Sequence, residues 1–288
     1  MPERSSTLKI AFLDVDGTIL DHGRRIAPST VRAIREARAA GHLVYLCTGR
    51  AAGHIPESVL EIGFDGAVTN GGAFAMVGDA LVHGETMPRA ELDALLAHFE
   101  EHELHYLLQT NRRVYASART RAAIQEHLAA ARVDKSEPQT APQAGFSAEP
   151  IEDAPLDEIA KAVFFTEEAG AVERARLEFG ERFHIVRGSM PLPGGSDGEI
   201  GLRGTTKGAA IEKVLEHLGL DRADAIGIGD SWNDVEMFEV CGVGIAMGNA
   251  APELQELADE VTSTVLENGI FDAFARHGLV TADAAALS

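Results

Sequence analysis

Short apolar runs alternate with stretches of helical length in the N-terminal part of the chain. The apolar runs lie at 9–15, 42–47 and 67–69, and the stretches between them predict helices over about 28–40 and up to about residue 62. Nearly continuous apolar runs are typical of strands buried on both faces of a sheet. Their alternation with helices predicts a parallel α/β sheet.

The same alternation returns near the C-terminus. The predicted helices and strands are a helix over 206–218, a strand at 225–228, a helix over 232–240, a strand at 243–247, a helix near 253–258, a strand at 260–263 and a helix near 270–277. Both ends of the chain therefore predict the same kind of α/β core.

The middle of the chain has a different order of elements. It predicts helices over 89–101, 118–131 and 167–179, and strands at 104–109, 112–116, 161–166, 183–187 and 198–203, with a proline-rich surface loop over 133–156. Paired strands joined by short turns indicate an antiparallel α+β module. We therefore expect core segments at 1–83 and 204–288, with an inserted α+β domain at 84–203.

Composition and charge exclude several classes of protein. The 288 residues include 25 Lys and Arg against 45 Asp and Glu, which gives a net charge of −20. Such a surface repels nucleic acid and anionic lipid, so we expect neither as a partner. The polar N-terminus is unlike a secretory signal, no run is long enough to span a membrane, and the two cysteines lie in apolar surroundings. We therefore expect a cytoplasmic protein.

Polar residues follow the ends of four predicted core strands. Because ligands bind beyond the carboxyl ends of parallel strands, we expect these residues to converge on one site. They are Asp14 and Asp16 after the first strand, Thr48 and Gly49 after the second, Asn70 after the third, and Asp230, Asn233 and Asp234 after the fourth.

The four aspartates suggest a metal ion. Carboxylates this close together repel one another unless a cation or a shared proton is present, and oxygen-rich sites suit Mg²⁺. The alternative is that each Asp caps a helix or a turn. Lys207 begins a predicted helix, where the macrodipole disfavours a cation. An acidic site or a bound phosphate would offset that cost. The alternative is an exposed lysine, for which the cost is small. Thr48 and Gly49 also open a helix, either as an anion cradle or only as a helix cap.

These motifs resemble those of the haloacid dehalogenase (HAD) superfamily of phosphohydrolases, specifically the Cof-like subfamily with a large inserted C2-type cap. The matching segments are Asp14-Val15-Asp16-Gly17-Thr18, Thr48 in Cys-Thr-Gly-Arg, Lys207 in Thr-Lys-Gly, Gly229-Asp230-Ser231-Trp232-Asn233-Asp234, Ala246-Met247-Gly248-Asn249-Ala250 and Glu267-Asn268-Gly269-Ile270. The resemblance implies a Rossmann-like parallel-sheet core with an inserted α+β cap domain.

The resemblance also implies a mechanism. Asp14 is the expected nucleophile, which forms an aspartyl-phosphate, and Asp16 is the expected general acid and base. Mg²⁺ is expected to be held by Asp14, the backbone carbonyl of Asp16 and Asp230, with Asp234 in support. Thr48, Gly49, Lys207 and Asn233 are the expected phosphate-binding residues.

The implied function is Mg²⁺-dependent hydrolysis of small phosphorylated metabolites, such as sugar phosphates or phosphorylated cofactors. A phosphomutase on the same scaffold is an alternative that the sequence leaves open. A non-catalytic phospho-aspartate or metal switch is a third possibility, but such a switch needs no general acid like Asp16. Four arginines of the insertion either contact the substrate or form a solvated face, namely Arg112, Arg113, Arg119 and Arg121. The oligomeric state is unknown.

Overall fold

The computed structural model describes residues 8–21, 24–133, 148–188 and 196–281, which form two compact units. The first unit comprises the described parts of Met1–Arg50, Ile55–Gly84 and Thr205–Ser288, and the second those of Ala51–His54 and Glu85–Gly204. Residues 51–54 lie inside the predicted first core segment but pack with the second unit, where the amide of Ala52 donates to the carbonyl of Asn111 at 2.8 Å.

The strands and helices of the described residues are as follows. The strands are β1 (Ile10–Leu13), β2 (Leu43–Cys47), β3 (Gly66–Thr69), β4 (Phe74–Val77), β5 (Ala80–Gly84), β6 (His105–Gln109), β7 (Val114–Ala116), β8 (Glu149–Pro150), β9 (Lys161–Thr166), β10 (Phe183–Arg187), β11 (Ser196–Leu202), β12 (Ala225–Gly229), β13 (Val243–Ala246) and β14 (Glu260–Val261). The helices are α1 (Pro28–Ala39), α2 (Glu57–Leu60), α3 (Arg89–Glu101), α4 (Ala118–Val133), α5 (Ala171–Phe179), α6 (Lys207–Leu218), α7 (Val235–Val240), α8 (Pro252–Gln255) and α9 (Gly269–Arg276).

The first unit is built on an eight-stranded sheet in the order β14-β13-β12-β1-β2-β3-β4-β5. Its strands pair in parallel from β14 to β3, and the β4–β5 hairpin adds two antiparallel strands at one edge. All four residues of β1 are buried, as expected of a strand that is covered on both faces.

Helices cover both faces of this sheet. Ile34 of α1 and Phe274 of α9 belong to the apolar core on one face, and Ile211 of α6 and Met237 of α7 belong to the core on the other. The unit is therefore a three-layer α/β structure, in which the carboxyl ends of the parallel strands form one edge that is open to ligands.

The second unit contains a six-stranded sheet in the order β10-β11-β9-β6-β7-β8. Its pairs are antiparallel except for β7 with β8. Leu95 and Phe99 of α3 pack with Ala175 and Phe179 of α5 in its main apolar core. A smaller core contains Ile124 of α4 with Val163 and other residues of the sheet.

The predicted fold class, a parallel-sheet core with an inserted α+β domain, is confirmed. The sequence did not predict the β4–β5 hairpin or the short strand β8, which lies inside the predicted loop over 133–156. Residues 134–147 of that loop lie outside the described residues. Within the part of the chain that the structure describes, no helix is both long and apolar enough to cross a membrane.

Candidate active site

Three neighbouring strands bring the predicted site residues to one edge of the sheet. β1 lies between β12 and β2, with Leu13 paired to Ile228 on one side and to Leu46 on the other. Asp14, Asp230 and Thr48 follow the ends of these strands. The amide of Asp14 donates to the carbonyl of Ile228 at 3.0 Å, which continues the strand pairing up to the first aspartate. The convergence expected from the strand ends is therefore present for these three strands, and the amide of Asn70, which follows the next strand β3, donates to the carbonyl of Arg50 at 2.8 Å.

Lys207 connects two of the aspartates. Its Nζ donates to Oδ1 of Asp14 at 2.6 Å and to Oδ1 of Asp234 at 2.5 Å, and its side chain is fully buried. Lys207 is the first residue of α6, and Oγ1 of the preceding Thr206 accepts from the amide of Ala209 at 3.2 Å. Two carboxylates thus offset the cost of a cation at the helix start, which excludes the alternative of an exposed lysine.

Burial and crowding change the titration of these groups. Burial raises the pKa of Asp14 to about 7, although the charge of Lys207 acts in the opposite direction. Burial, together with the charges of Asp14 and Asp234, raises the pKa of Asp230 to about 8. Burial alone would lower the pKa of Lys207, but the two carboxylates that it contacts hold that pKa well above its ordinary value. The lysine is therefore a permanent cation.

The carboxylates fit a hard divalent cation. Asp14, Asp230 and Asp234 each offer one oxygen, and these oxygens lie within 4.8 Å of one another. One ammonium group cannot balance three ionised carboxylates in a buried space, so the site favours additional positive charge. Oxygen donors are those that Mg²⁺ prefers. The structure thus places Asp234 beside Asp14 and Asp230, the two residues whose carboxylates were predicted to bind the metal.

The loop between 230 and 234 is held by Asp234. Its Oδ2 accepts from the amides of Asp230 and Ser231, both at 3.0 Å, while its Oδ1 binds Lys207. Asn233 is buried, and its Oδ1 accepts from Oγ of Ser231 at 2.9 Å. Its assignment to phosphate binding stays a prediction.

Asp16 points to an arginine. Nε of Arg50 donates to Oδ2 of Asp16 and its terminal nitrogen to Oδ1, both at 2.6 Å, in a bidentate pair. Arg50 belongs to the Cys-Thr-Gly-Arg segment, but no role was predicted for it from the sequence. Its position could have indicated the contact, because Arg50 is a cation two residues after Thr48, at a strand end next to the one that carries Asp14 and Asp16. Oγ1 of Thr48 accepts from the amide of Arg50 at 3.2 Å, so this hydroxyl also stabilises the turn that contains Gly49.

Gly17 allows Asp230 to lie against the loop after β1. Gly17 has a φ of +86°, and a Cβ atom at this position would overlap the Asp230 carboxylate. Oγ1 of Thr18 donates to Oδ1 of Asp230 at 3.3 Å. The side-chain amide of Asn249 donates to the carbonyl of Gly17 at 2.8 Å, which ties the loop after β13 to the same turn. No role was predicted for Thr18 or Asn249 from the sequence.

The arginines of the insertion have partners within their own unit. Arg113 forms an ion pair with Glu149 at 2.7 Å, Arg119 donates to the carbonyl of Glu103 at 2.8 Å, and Arg121 donates to the carbonyl of Ala116 at 2.6 Å. These contacts assign structural roles to three of the four arginines, Arg112 being the fourth. Whether any of them contacts substrate stays a prediction.

The features described above occur together in one class of hydrolases. They are an α/β unit with aspartates at the ends of adjacent parallel strands, a buried lysine and an inserted α+β unit. The profile of the haloacid dehalogenase-like hydrolases matches residues 11–274, and the chain belongs to this family. The resemblance inferred from the motifs is thereby confirmed.

Known proteins of this family are similar over nearly the whole chain. YkrA of Bacillus subtilis is 29% identical, over 94% of this chain and 98% of its own length. The 5-amino-6-(5-phospho-D-ribitylamino)uracil phosphatase YwtE of the same organism is 27% identical, over 91% and 96%. The structure of a HAD subclass IIB sugar phosphatase superposes with a TM-score of 0.77 at 24% identity, covering 94% of this chain and 100% of that one. The predicted enzyme class, a HAD-type phosphatase, is confirmed.

Proposed function

We propose that the chain is a Mg²⁺-dependent phosphatase that hydrolyses small phosphorylated metabolites through an aspartyl-phosphate on Asp14. The observation that carries the proposal is the fixed position of the Asp14 carboxylate. Lys207 holds its Oδ1, while no described residue donates a hydrogen bond to its Oδ2. A carboxylate that is held by one oxygen and free at the other is suited to attack a phosphorus atom.

The residues of the site support a two-step reaction. In the first step, an oxygen of Asp14 bonds to phosphorus, the bond from phosphorus to the leaving oxygen breaks, and Asp16 gives that oxygen a proton. In the second step, water attacks the phosphorus of the aspartyl-phosphate and gives a proton to Asp16. The bond between phosphorus and the Asp14 oxygen breaks, which releases inorganic phosphate and restores the Asp14 carboxylate. Lys207 donates to the phosphoryl oxygens and favours the ionised form of Asp14.

Asp14, Asp230 and the backbone carbonyl of Asp16 would hold the metal ion, with Asp234 beside them. A bound Mg²⁺ supplies charge that lowers the repulsion between an anionic nucleophile and an anionic substrate. The raised pKa values of Asp14 and Asp230 support this assignment. They mean that burial disfavours the ionised form of both carboxylates, and a cation bound between them would offset this cost.

Arg50 has a further part in this scheme. Both oxygens of Asp16 accept hydrogen bonds from its guanidinium, so Asp16 must leave this pair before it can carry a proton to the leaving group. A phosphoryl group is a competing bidentate acceptor for arginine. Substrate binding would therefore draw Arg50 away and release Asp16 for catalysis.

The test is release of inorganic phosphate from p-nitrophenyl phosphate by the metal-stripped protein, with and without Mg²⁺ and without a bisphosphate activator. We expect activity only with Mg²⁺, and we expect Asp14→Asn to abolish it while the fold is kept. Asp221→Asn changes an exposed aspartate of the same unit and is the matched control, with wild-type activity. Asp16→Asn should lower kcat by about 10²–10⁴-fold.

Three results would contradict the proposal. Full activity in EDTA would exclude the metal. Turnover by Asp14→Asn within tenfold of wild type would exclude the nucleophile. A requirement for a sugar bisphosphate activator would favour the phosphomutase alternative.

The names of two similar proteins support a proposal for the substrate class. One relative is named for a uracil derivative with a phosphorylated ribityl chain and one structural neighbour as a sugar phosphatase, and both names point to phosphate esters of polyhydroxylated carbon chains. We propose a substrate of this kind, and a panel of phosphorylated sugars, polyols and cofactors ranked by kcat/KM would identify it. The cap role of residues 84–203 and the cytoplasmic location are proposed on the resemblance and on the composition.

A further inference from the structure

A second group of metal-binding side chains lies in the unit that contains residues 85–204. His98 is in the last turn of α3, His102 follows one turn later at the end of that helix, and Glu178 is in the last turn of α5. Each offers one ligand atom, and these atoms lie within 4.8 Å of one another. The proposed phosphatase mechanism uses none of these residues.

The two histidines have the spacing of a metal-binding pair on a helix. Residues four apart lie on the same helical face, and the ring centroids of His98 and His102 are 4.5 Å apart. Nδ1 of His98 lies 2.8 Å from Oε2 of Glu178, which joins the second helix to the group. Two nitrogen or oxygen ligands of a tetrahedral zinc ion are about 3.3–3.6 Å apart, so side-chain rotations that draw the three groups closer would bring them onto one ion.

The histidine at the centre of the group is fixed in position. The His98 side chain is only 4% exposed, and its ring packs edge-on against Phe179 at a centroid distance of 5.1 Å. This packing holds the imidazole in place beside Glu178.

The surrounding charges favour a cation on balance. The carboxyl ends of α3 and α5 both lie at the group, and a helix C-terminus carries partial negative charge. Arg174 is close enough to act on His98, but its charge is partly balanced by an ion pair with Glu168 at 2.8 Å. Glu178 is more than half exposed and His102 is half-buried, so an ion has a path from solvent.

We propose that His98, His102 and Glu178 form a binding site for a first-row transition metal ion such as Zn²⁺ or Co²⁺. Two imidazoles and one carboxylate are typical ligands of these ions, with a fourth position left for water. Mg²⁺ and Ca²⁺ prefer oxygen donors, so this site and the carboxylate site select different metals. A metal here would link the ends of α3 and α5.

The test is a calorimetric titration of the metal-stripped full chain with Zn²⁺, in excess Mg²⁺ so that the carboxylate site is occupied. Co²⁺ gives a second readout, because its visible spectrum reports histidine ligation. We expect one equivalent of either ion to bind in the wild type and in Asp14→Asn. His102→Ala and Glu178→Gln should each lower the affinity by at least about 10–100-fold, the effect that is usual even for residues that only support a ligand.

His217→Ala is the matched control, because His217 is also in the last turn of a helix but is exposed and outside the group. Circular dichroism of each variant shows whether it is folded. No binding of Zn²⁺ or Co²⁺ to the wild type would overturn the proposal and leave the His98–Glu178 contact as a structural hydrogen bond. Unchanged affinity in folded His102→Ala and Glu178→Gln would also overturn it.

Discussion

Replacing Lys207 by methionine should destabilise the protein strongly. The change keeps the length of the side chain but removes its charge from a fully buried position between Asp14 and Asp234. Both carboxylates would then lose their closest cation at distances of 2.6 and 2.5 Å. Removing one partner from a buried ion pair costs about 3–5 kcal/mol, because the remaining charge stays buried without compensation.

The size of the effect can be stated as a melting temperature. A loss of 1 kcal/mol lowers Tm by about 2–4 °C in a domain of 150–250 residues, so a loss of 3–5 kcal/mol lowers it by about 6–20 °C. The loss should be smaller at pH 5 than at pH 8. Asp14 already has a raised pKa, and without Lys207 it would take up a proton at a still higher pH, which removes the buried charge.

The measurement is thermal unfolding in EDTA, followed by circular dichroism at pH 5 and pH 8. Lys213→Met is the matched control, since Lys213 lies on the same helix, is exposed and forms an ion pair with Glu216 at 3.3 Å. That variant should change stability by about 0.5 kcal/mol or less. Lys207→Met with Asp14→Asn should lose less than the sum of the single changes, because the two residues are in contact. A Tm within 2 °C of wild type for Lys207→Met at pH 8 would refute the reasoning.

Three further predictions concern the same edge of the sheet. Gly17→Ala should push the Asp230 carboxylate aside and lower kcat by about 100-fold, whereas Gly78→Ala, with a φ of +54° and no atom near the added Cβ, should keep full activity. In EDTA, the free energy of unfolding should fall as the pH rises from 5 to 8. The reason is that Asp14 and Asp230 hold protons in the folded state that they have lost in the unfolded state. Added Mg²⁺ or the change Asp230→Asn should each make this dependence on pH weaker. Trp232, which is 44% exposed, should change its fluorescence when Mg²⁺ and then beryllofluoride are added, and a flat signal from active protein would contradict its placement beside the site.

The positions of the main candidate site residues in the fold could be predicted because strand ends determine them. A run such as Ile10–Leu13 indicates a buried strand, and the parallel order of β12, β1 and β2 brings the next residue of each strand to one edge. The β4–β5 hairpin could not be predicted in the same way. It is short, it turns at Gly78-Asp79, and β5 is largely exposed, so its sequence lacks the apolar run that identifies the central strands.

The directions of the side chains at this edge could not be predicted from the strand ends. Asp14 and Asp16 are two residues apart in one loop, yet one turns to Lys207 and the other to Arg50. This separation gives the two carboxylates different partners, one a buried lysine and the other a partly exposed arginine. Long side chains from other segments decide the outcome, and their reach depends on packing that no local pattern encodes.

Lys207 shows why such conflicts with local preference are informative. A lysine at the first position of a helix opposes the macrodipole, and its complete burial opposes its solvation, so both local rules disfavour the residue at this place. The conflict disappears only when Asp14 and Asp234 are brought to it from other segments of the chain. The carboxylates in turn would repel each other without the lysine. Each residue is unfavourable alone and stable together with the others, which is the pattern expected where a fold gives up local stability to build a reactive site.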